Sequence, residues 1–383
     1  MNSVKNIAPL VIGCIVLFRF CMSQSPELSS KPKEADKQTI LPSTTINLAG
    51  GKPLIGLPPA TVMGSPMLCS PDGTTFVEVY ANTKNPVSRF PNFYRVSASG
   101  EVKQLNLPVP SEYQHLFVRS LFPGEHAIVS LVQAYGKKDL SVDTPKTETD
   151  FISLTSLEGD SAKLIELKLN FQPLKLAMLA SGKFIVLGID TVNLVPVLAF
   201  LNEDGSFFKP IDLDNRKYDN SKELRETYSG KDADVAKRKQ IMGALTSASF
   251  VAHGSRVLLV QPGSTLPVHV LGESGDESAI SISLPSNFLV QNILGSERSN
   301  TWVVRAQKMD SFQKMANEHV ITNPEQQLFE VNQETGKATR TLNINGAPPM
   351  MVTCAANNKL SALYDDPLPN SDEDRFVLVT ATR

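Results

Sequence analysis

From about residue 45 to the C-terminus, short apolar runs are separated by turns of Gly, Asp and Asn, and no other feature constrains the chain as strongly. Short strands at regular spacing with turn signals between them argue for an all-β chain built on a repeat. The unit is an apolar run, a tight turn, a second run, a variable stretch, a third run, a Gly/acidic turn and a fourth run. In the first copy, Met67–Cys69 leads into Ser70-Pro71-Asp72-Gly73, Thr75–Tyr80, Phe93–Val96, the turn Ser97–Gly100 and Val102–Leu107. Later copies turn first at Phe122-Pro123-Gly124, Ser181-Gly182, His253-Gly254, Gly295–Asn300 and Asn357-Asn358. The sixth carries Leu360–Tyr364 and Phe376–Thr380 and stops one run short, whereas Thr45–Leu48 is a strand with no copy of its own.

Four strands per repeat is the unit of a β-propeller blade. The chain therefore reads as a single propeller over residues 45–383. Six blades are preferred to seven because the orphan strand Thr45–Leu48 then completes the last sheet beside Phe376–Thr380 and removes the open edges. Asp214–Leu245 breaks the β pattern with charged, helix-compatible runs at Ser221–Thr227 and Asp232–Ala244, a helical insertion between blades 3 and 4. Ser70-Pro71-Asp72-Gly73 between two β-runs resembles the turn of TolB-type propeller repeats, and Leu198–Leu213 is similar to the outer hairpin of six-bladed NHL-like propellers. The resemblance is one of pattern. It implies the fold and leaves function open, since propellers host binding modules and enzymes alike.

The N-terminus reads as an export signal. Lys5 precedes the apolar run Ile7–Phe18, too short to span a bilayer, and Cys21 and Ser23 stand at the spacing a signal peptidase reads. Residues 1–23 are then a signal peptide and residues 24–44 a polar, flexible linker. Arg19 interrupts the apolar stretch, so an uncleaved anchor competes with this reading; Val11-Ile12-Gly13-Cys14 raises a lipidated one, and a buried first helix of a cytosolic chain is the bland alternative. No Asn-X-Ser/Thr sequon occurs, which favours a bacterial envelope, periplasmic or extracellular. Cleavage leaves Cys69 and Cys354, which precede the first turns of their repeats and so occupy matching innermost positions in blades 1 and 6. Either they form a disulfide stapling the closure or they are two buried small hydrophobes; the separation of adjacent blades favours the second.

The net charge of −2 and the absence of a basic tract argue against a nucleic-acid partner. Acids and histidines were sought where innermost strands begin, at Met63-Gly64, Gln114-His115, Pro173-Leu174, Leu245-Thr246, Phe288-Leu289 and Pro349-Met350, and only His115 emerged as a channel candidate. The histidines show no metal-ligand spacing, and Gly272-Glu273-Ser274-Gly275 lacks the final Gly of a nucleophile elbow. No catalytic residue, metal or cofactor is assigned. The expectation is a monomeric, exported, non-catalytic propeller that binds a protein, peptide or glycan through its long-loop face, with membrane contact only through the N-terminal segment. The competing expectation is a hydrolase or lyase whose acids come from those loops. Arg89, Phe90, Tyr135, Tyr228 and Phe312 are the expected contacts, because exposed aromatics and Arg carry interface energy.

Overall fold

The computed structural model describes residues 41–48, 52–54, 62–63 and 68–383, apart from 71, 81–91, 98, 106–111, 125–126, 138–147, 159–161, 213–230, 262–266, 286, 297–299, 309–325, 346–350, 357 and 368–373. It is a six-bladed β-propeller. Blade 1 contains β3 (Val62–Met63), β4 (Leu68–Cys69), β5 (Thr75–Tyr80), β6 (Asn92–Val96) and β7 (Val102–Leu105), with β3 and β4 both paired to β5. Blade 2 is β8 (Tyr113–Pro123), β9 (Ala127–Lys137), β10 (Glu148–Ser156) and β11 (Ala162–Glu166). Blade 3 is β12 (Gln172–Met178), β13 (Phe184–Asp190), β14 (Val195–Leu201) and β15 (Phe207–Ile211). Blade 4 is β16 (Ser249–His253), β17 (Arg256–Val260), β18 (Val268–Gly272) and β19 (Gly275–Ile280). Blade 5 is β20 (Phe288–Ser296), β21 (Thr301–Lys308), β22 (Gln326–Asn332) and β23 (Ala338–Asn345), and blade 6 holds β24 (Met351–Ala356), β25 (Lys359–Pro367) and β26 (Asp374–Thr382).

Closure differs from the sequence expectation. Blade 6 is completed by β2 (Lys52–Leu54), antiparallel to β26 with Lys52 opposite Thr380 and Leu54 opposite Leu378. The strand β1 (Ser43–Asn47) instead runs parallel to β23 as a fifth strand of blade 5, with Ile46 opposite Ile344. Burial explains the choice. Ile46 and Leu48 are buried against Val303, Leu360, Val377 and Val379, apolar ground between blades 5 and 6. The N-terminal segment is thus a strap over two blades.

The core lies between blades. Second strands such as β13 are buried on both faces and read as unbroken apolar runs, whereas outermost strands such as β19 turn most residues to solvent. The helix α1 (Lys231–Ser247) packs Ile241 and Leu245 into the core shared by blades 2, 3 and 4. Leu245-Thr246, expected at the start of blade 4's innermost strand, lies in this helix; that strand begins at Ser249. The helix-compatible run Ser221–Thr227 lies outside the described residues, as do residues 1–40 and hence the signal peptide. Among the described residues no helix is long and apolar enough to cross a membrane.

Cys69 and Cys354 form a disulfide with Cα atoms 5.2 Å apart, linking β4 to β24, the innermost strands of the first and last blades. The separation that favoured two free thiols is not kept, because innermost strands converge on the axis. Four innermost strands also carry a bulge, between Val118/Ser120, Pro173/Lys175, Val290/Asn292 and Val352/Cys354. Residues next to the bulges tie alternate blade junctions. The Ser120 hydroxyl accepts from the Leu176 amide at 3.0 Å between blades 2 and 3, and the Ser249 hydroxyl donates to Asn292 Oδ1 at 2.7 Å between blades 4 and 5. Cys354 ties blade 6 to blade 1.

Candidate functional site: a cleft between blades 2 and 3

In each blade the second-to-third connection and the link to the next blade emerge on one face, and the two tight turns on the other. The tight turns are built alike: Asp72 Oδ1 accepts from the Ser70 hydroxyl and the Thr74 amide, and Asp204 Oδ1 from the Ser206 hydroxyl and amide. On the long-loop face a cleft of about 260 Å³ opens where β10 begins, β11 ends and β12 begins, lined by Glu148, Thr149, Asp150, Glu166, Lys168 and Phe171 among others.

Register aligns its wall. Phe117, Gln133 and Asp150 are opposite one another across β8, β9 and β10, as are His115, Tyr135 and Glu148 one row further out. Opposed residues share a face. On this face Leu131 and Ile152, one row deeper, join the core shared with blade 3, so the polar row is the mouth of an apolar interface. Phe117 is 51% exposed, unusual for a large apolar residue on an innermost strand. Gln133 Nε2 donates to Glu148 Oε2 at 2.8 Å, and the hydroxyls of Tyr113 and Thr149 bond at 2.6 Å.

Arg119, the bulged residue of β8, joins the two blades. Its side chain is only 9% exposed, donates to the Pro173 carbonyl at 2.5 Å and lies 3.8 Å from Asp150 Oδ1. Burial raises the Asp150 carboxyl above its ordinary range, Arg119 opposes that rise and Glu148 adds to it. Asp150 Oδ1 is buried and has no hydrogen-bond partner among the described residues. A second cation, Lys175, follows the bulge of β12. Its residue is partly accessible, and burial pushes its amine down to about 8. No hydrogen bond or ion pair is found for it among the described residues.

Of the residues singled out from sequence, Tyr135 is described; it is half-buried at the end of β9, beside Glu148 in register. His115 stands opposite Tyr135 in register. Arg89, Phe90, Tyr228 and Phe312 lie outside the described residues. His253 is half-buried with its ring edge-on to Trp302, and His269 Nδ1 pairs with Asp276 at 2.7 Å. Among the described residues no three of His, Cys, Asp and Glu are grouped to hold a metal ion. Asp150, Glu148 and Glu166 were not legible in the sequence, because they do not stand where innermost strands begin. They come from the third and fourth strands of blade 2, which reach the cleft only because the blades pack face to face.

No protein-family model matches the chain, and no curated protein is similar to it in sequence. Solved structures resemble it at a distance. A protein of unknown function from Bacteroides caccae is 11% identical, with a TM-score of 0.39 over 72% of this chain and 80% of that one. The β-propeller domain of the Trilobed protease from Pyrococcus furiosus is 9% identical, with a TM-score of 0.36 over 80% and 77%. Trypanosoma rangeli sialidase is 9% identical, with a TM-score of 0.42 over 84% of this chain and 54% of that chain. Likenesses this remote do not bear on activity. The strand order by itself makes the chain a six-bladed β-propeller.

Proposed function

We propose that this is an exported, non-catalytic propeller that binds a protein, peptide or glycan partner through its long-loop face, with the cleft between blades 2 and 3 as a contact point. The observation that carries the reading is the cleft's position: it opens on the face that holds the long connections, and a rigid frame with elaborated loops on one side concentrates binding there. Export is supported by the Cys69–Cys354 disulfide, since such bonds persist in oxidising compartments. The TolB-like or NHL-like kinship belongs to this proposal as well.

The test is to immobilise the chain lacking residues 1–23, expose it to envelope extract and identify what is retained. Tyr135→Ala and Glu148→Gln should reduce retention, and Asp204→Ala, in a tight turn of the opposite face, should leave it intact. Equal losses from both faces would overturn the proposal. The raised pKa of Asp150 favours one second reading, an enzyme using that carboxyl as a proton donor. Turnover of a retained species by the wild type but not by Asp150→Asn would select it.

A further inference from the structure

We propose that Lys175, on the innermost strand of blade 3, is a reactive amine that captures a small aldehyde as an imine. The inference goes beyond partner binding at the long-loop face and does not depend on it.

Register gives this lysine its surroundings. Lys175, Leu187, Leu198 and Ile211 are opposite one another across blade 3, from the innermost strand to the outermost. Opposed residues share a face. The next row on that face is Ala177, Ile185, Phe200 and Lys209, and Lys209 donates to the Ser274 carbonyl of blade 4 at 3.3 Å. The face is therefore the one turned to blade 4. Leu187, Leu198 and Ile211 are all buried, so Lys175 heads a row that is otherwise apolar.

Two other lysines of blade 3 find acceptors across the same junction, Lys183 at Glu273 and Lys209 at Ser274. Lys175 has no such acceptor among the described residues, and burial, with no neighbouring charge contributing, lowers its amine to about 8. An ammonium so placed gives up its proton far more readily than an ordinary lysine, and the neutral amine is the nucleophile. Innermost strands border the central channel of a propeller, and Lys175 is partly accessible, which leaves a route for a small molecule. The step balances without a further reagent. Lys175 Nζ adds to the carbonyl carbon and a C–N bond forms. Both amine protons pass to the carbonyl oxygen, which leaves as water.

The experiment treats the full chain with propionaldehyde and cyanoborohydride at pH 7, and a separate sample with aldehyde-bearing dextran and the same hydride. The hydride traps each imine as a secondary amine, and peptide mass spectrometry over time maps the alkylated lysines. Lys175 should be propylated at least about tenfold faster than Lys168, which is 82% exposed. The preference should vanish in the urea-unfolded chain. Dextran aldehyde should modify Lys168 and leave Lys175 unmodified. Propylation of Lys175 no faster than that of Lys168, or a preference that survives unfolding, overturns the inference. Equal modification of both lysines by dextran aldehyde overturns it as well, since Lys175 would then be a surface amine.

Discussion

Cys69 and Cys354 are 285 residues apart in sequence and bonded in space, and the bond lies where the first blade meets the last. A cross-link over so long a loop removes much conformational freedom from the unfolded chain. Replacing both cysteines by Ser should lower unfolding free energy by about 3 kcal/mol in denaturant titrations. Alkylation of the unfolded, unreduced protein should label neither thiol, and labelling of both would exclude the bond.

The strap makes a second prediction. Deleting residues 52–54 removes the strand that completes blade 6, and Ile46→Ala empties a buried site between blades 5 and 6. The substitution should cost about 2–4 kcal/mol, and the deletion should broaden or abolish cooperative melting. Deleting residues 24–40 should leave the melting temperature within error of the wild type. A strap deletion as silent as the linker deletion would mean that the ring does not depend on it.

Blades 5 and 6 approach closely at Gly295, where an added Cβ would drive into the Ala355 carbonyl. Gly295→Ala should therefore destabilise by about 1–3 kcal/mol, because backbone cannot yield as a flexible side chain can. Gly254, in the first turn of blade 4, has nothing within 4 Å of an added Cβ, and only its φ of +60° resists substitution. Thermal denaturation should place Gly254→Ala well above Gly295→Ala.

Lys175 gives the stability curve a signature in alkali. Its amine loses the proton near 8 in the fold and near 10.5 when unfolded. Between those values the unfolded state holds more protons, so stability rises with pH across that window. Lys175→Met should flatten that rise and stabilise the protein at pH 7 by on the order of 2 kcal/mol. A wild-type curve parallel to the variant's from pH 8 to 10.5 would contradict it.

The class of fold was legible in sequence because blade strands are short, local and bounded by turns that announce themselves. Ser70-Pro71-Asp72-Gly73 folds as an Asp-anchored turn with Gly73 at φ +88°, as its residues dictate. The helix over Lys231–Ser247 followed from the break in β periodicity. The partner of Thr45–Leu48 was not legible. Two sheets offered an edge to an apolar strand, and only the burial of Ile46 and Leu48 between blades 5 and 6 decided for β23. The cleft was hidden for a related reason: Arg119 and Asp150 come from two strands of blade 2, and they meet Phe171 and Pro173 of blade 3 only across a blade junction. Turn chemistry and strand periodicity act over a few residues, so the sequence alone determined the repeat and the all-β class. Which edge a strand covers, how near two innermost cysteines come and which carboxyl loses its water depend on how whole sheets pack, and the tertiary structure decided them.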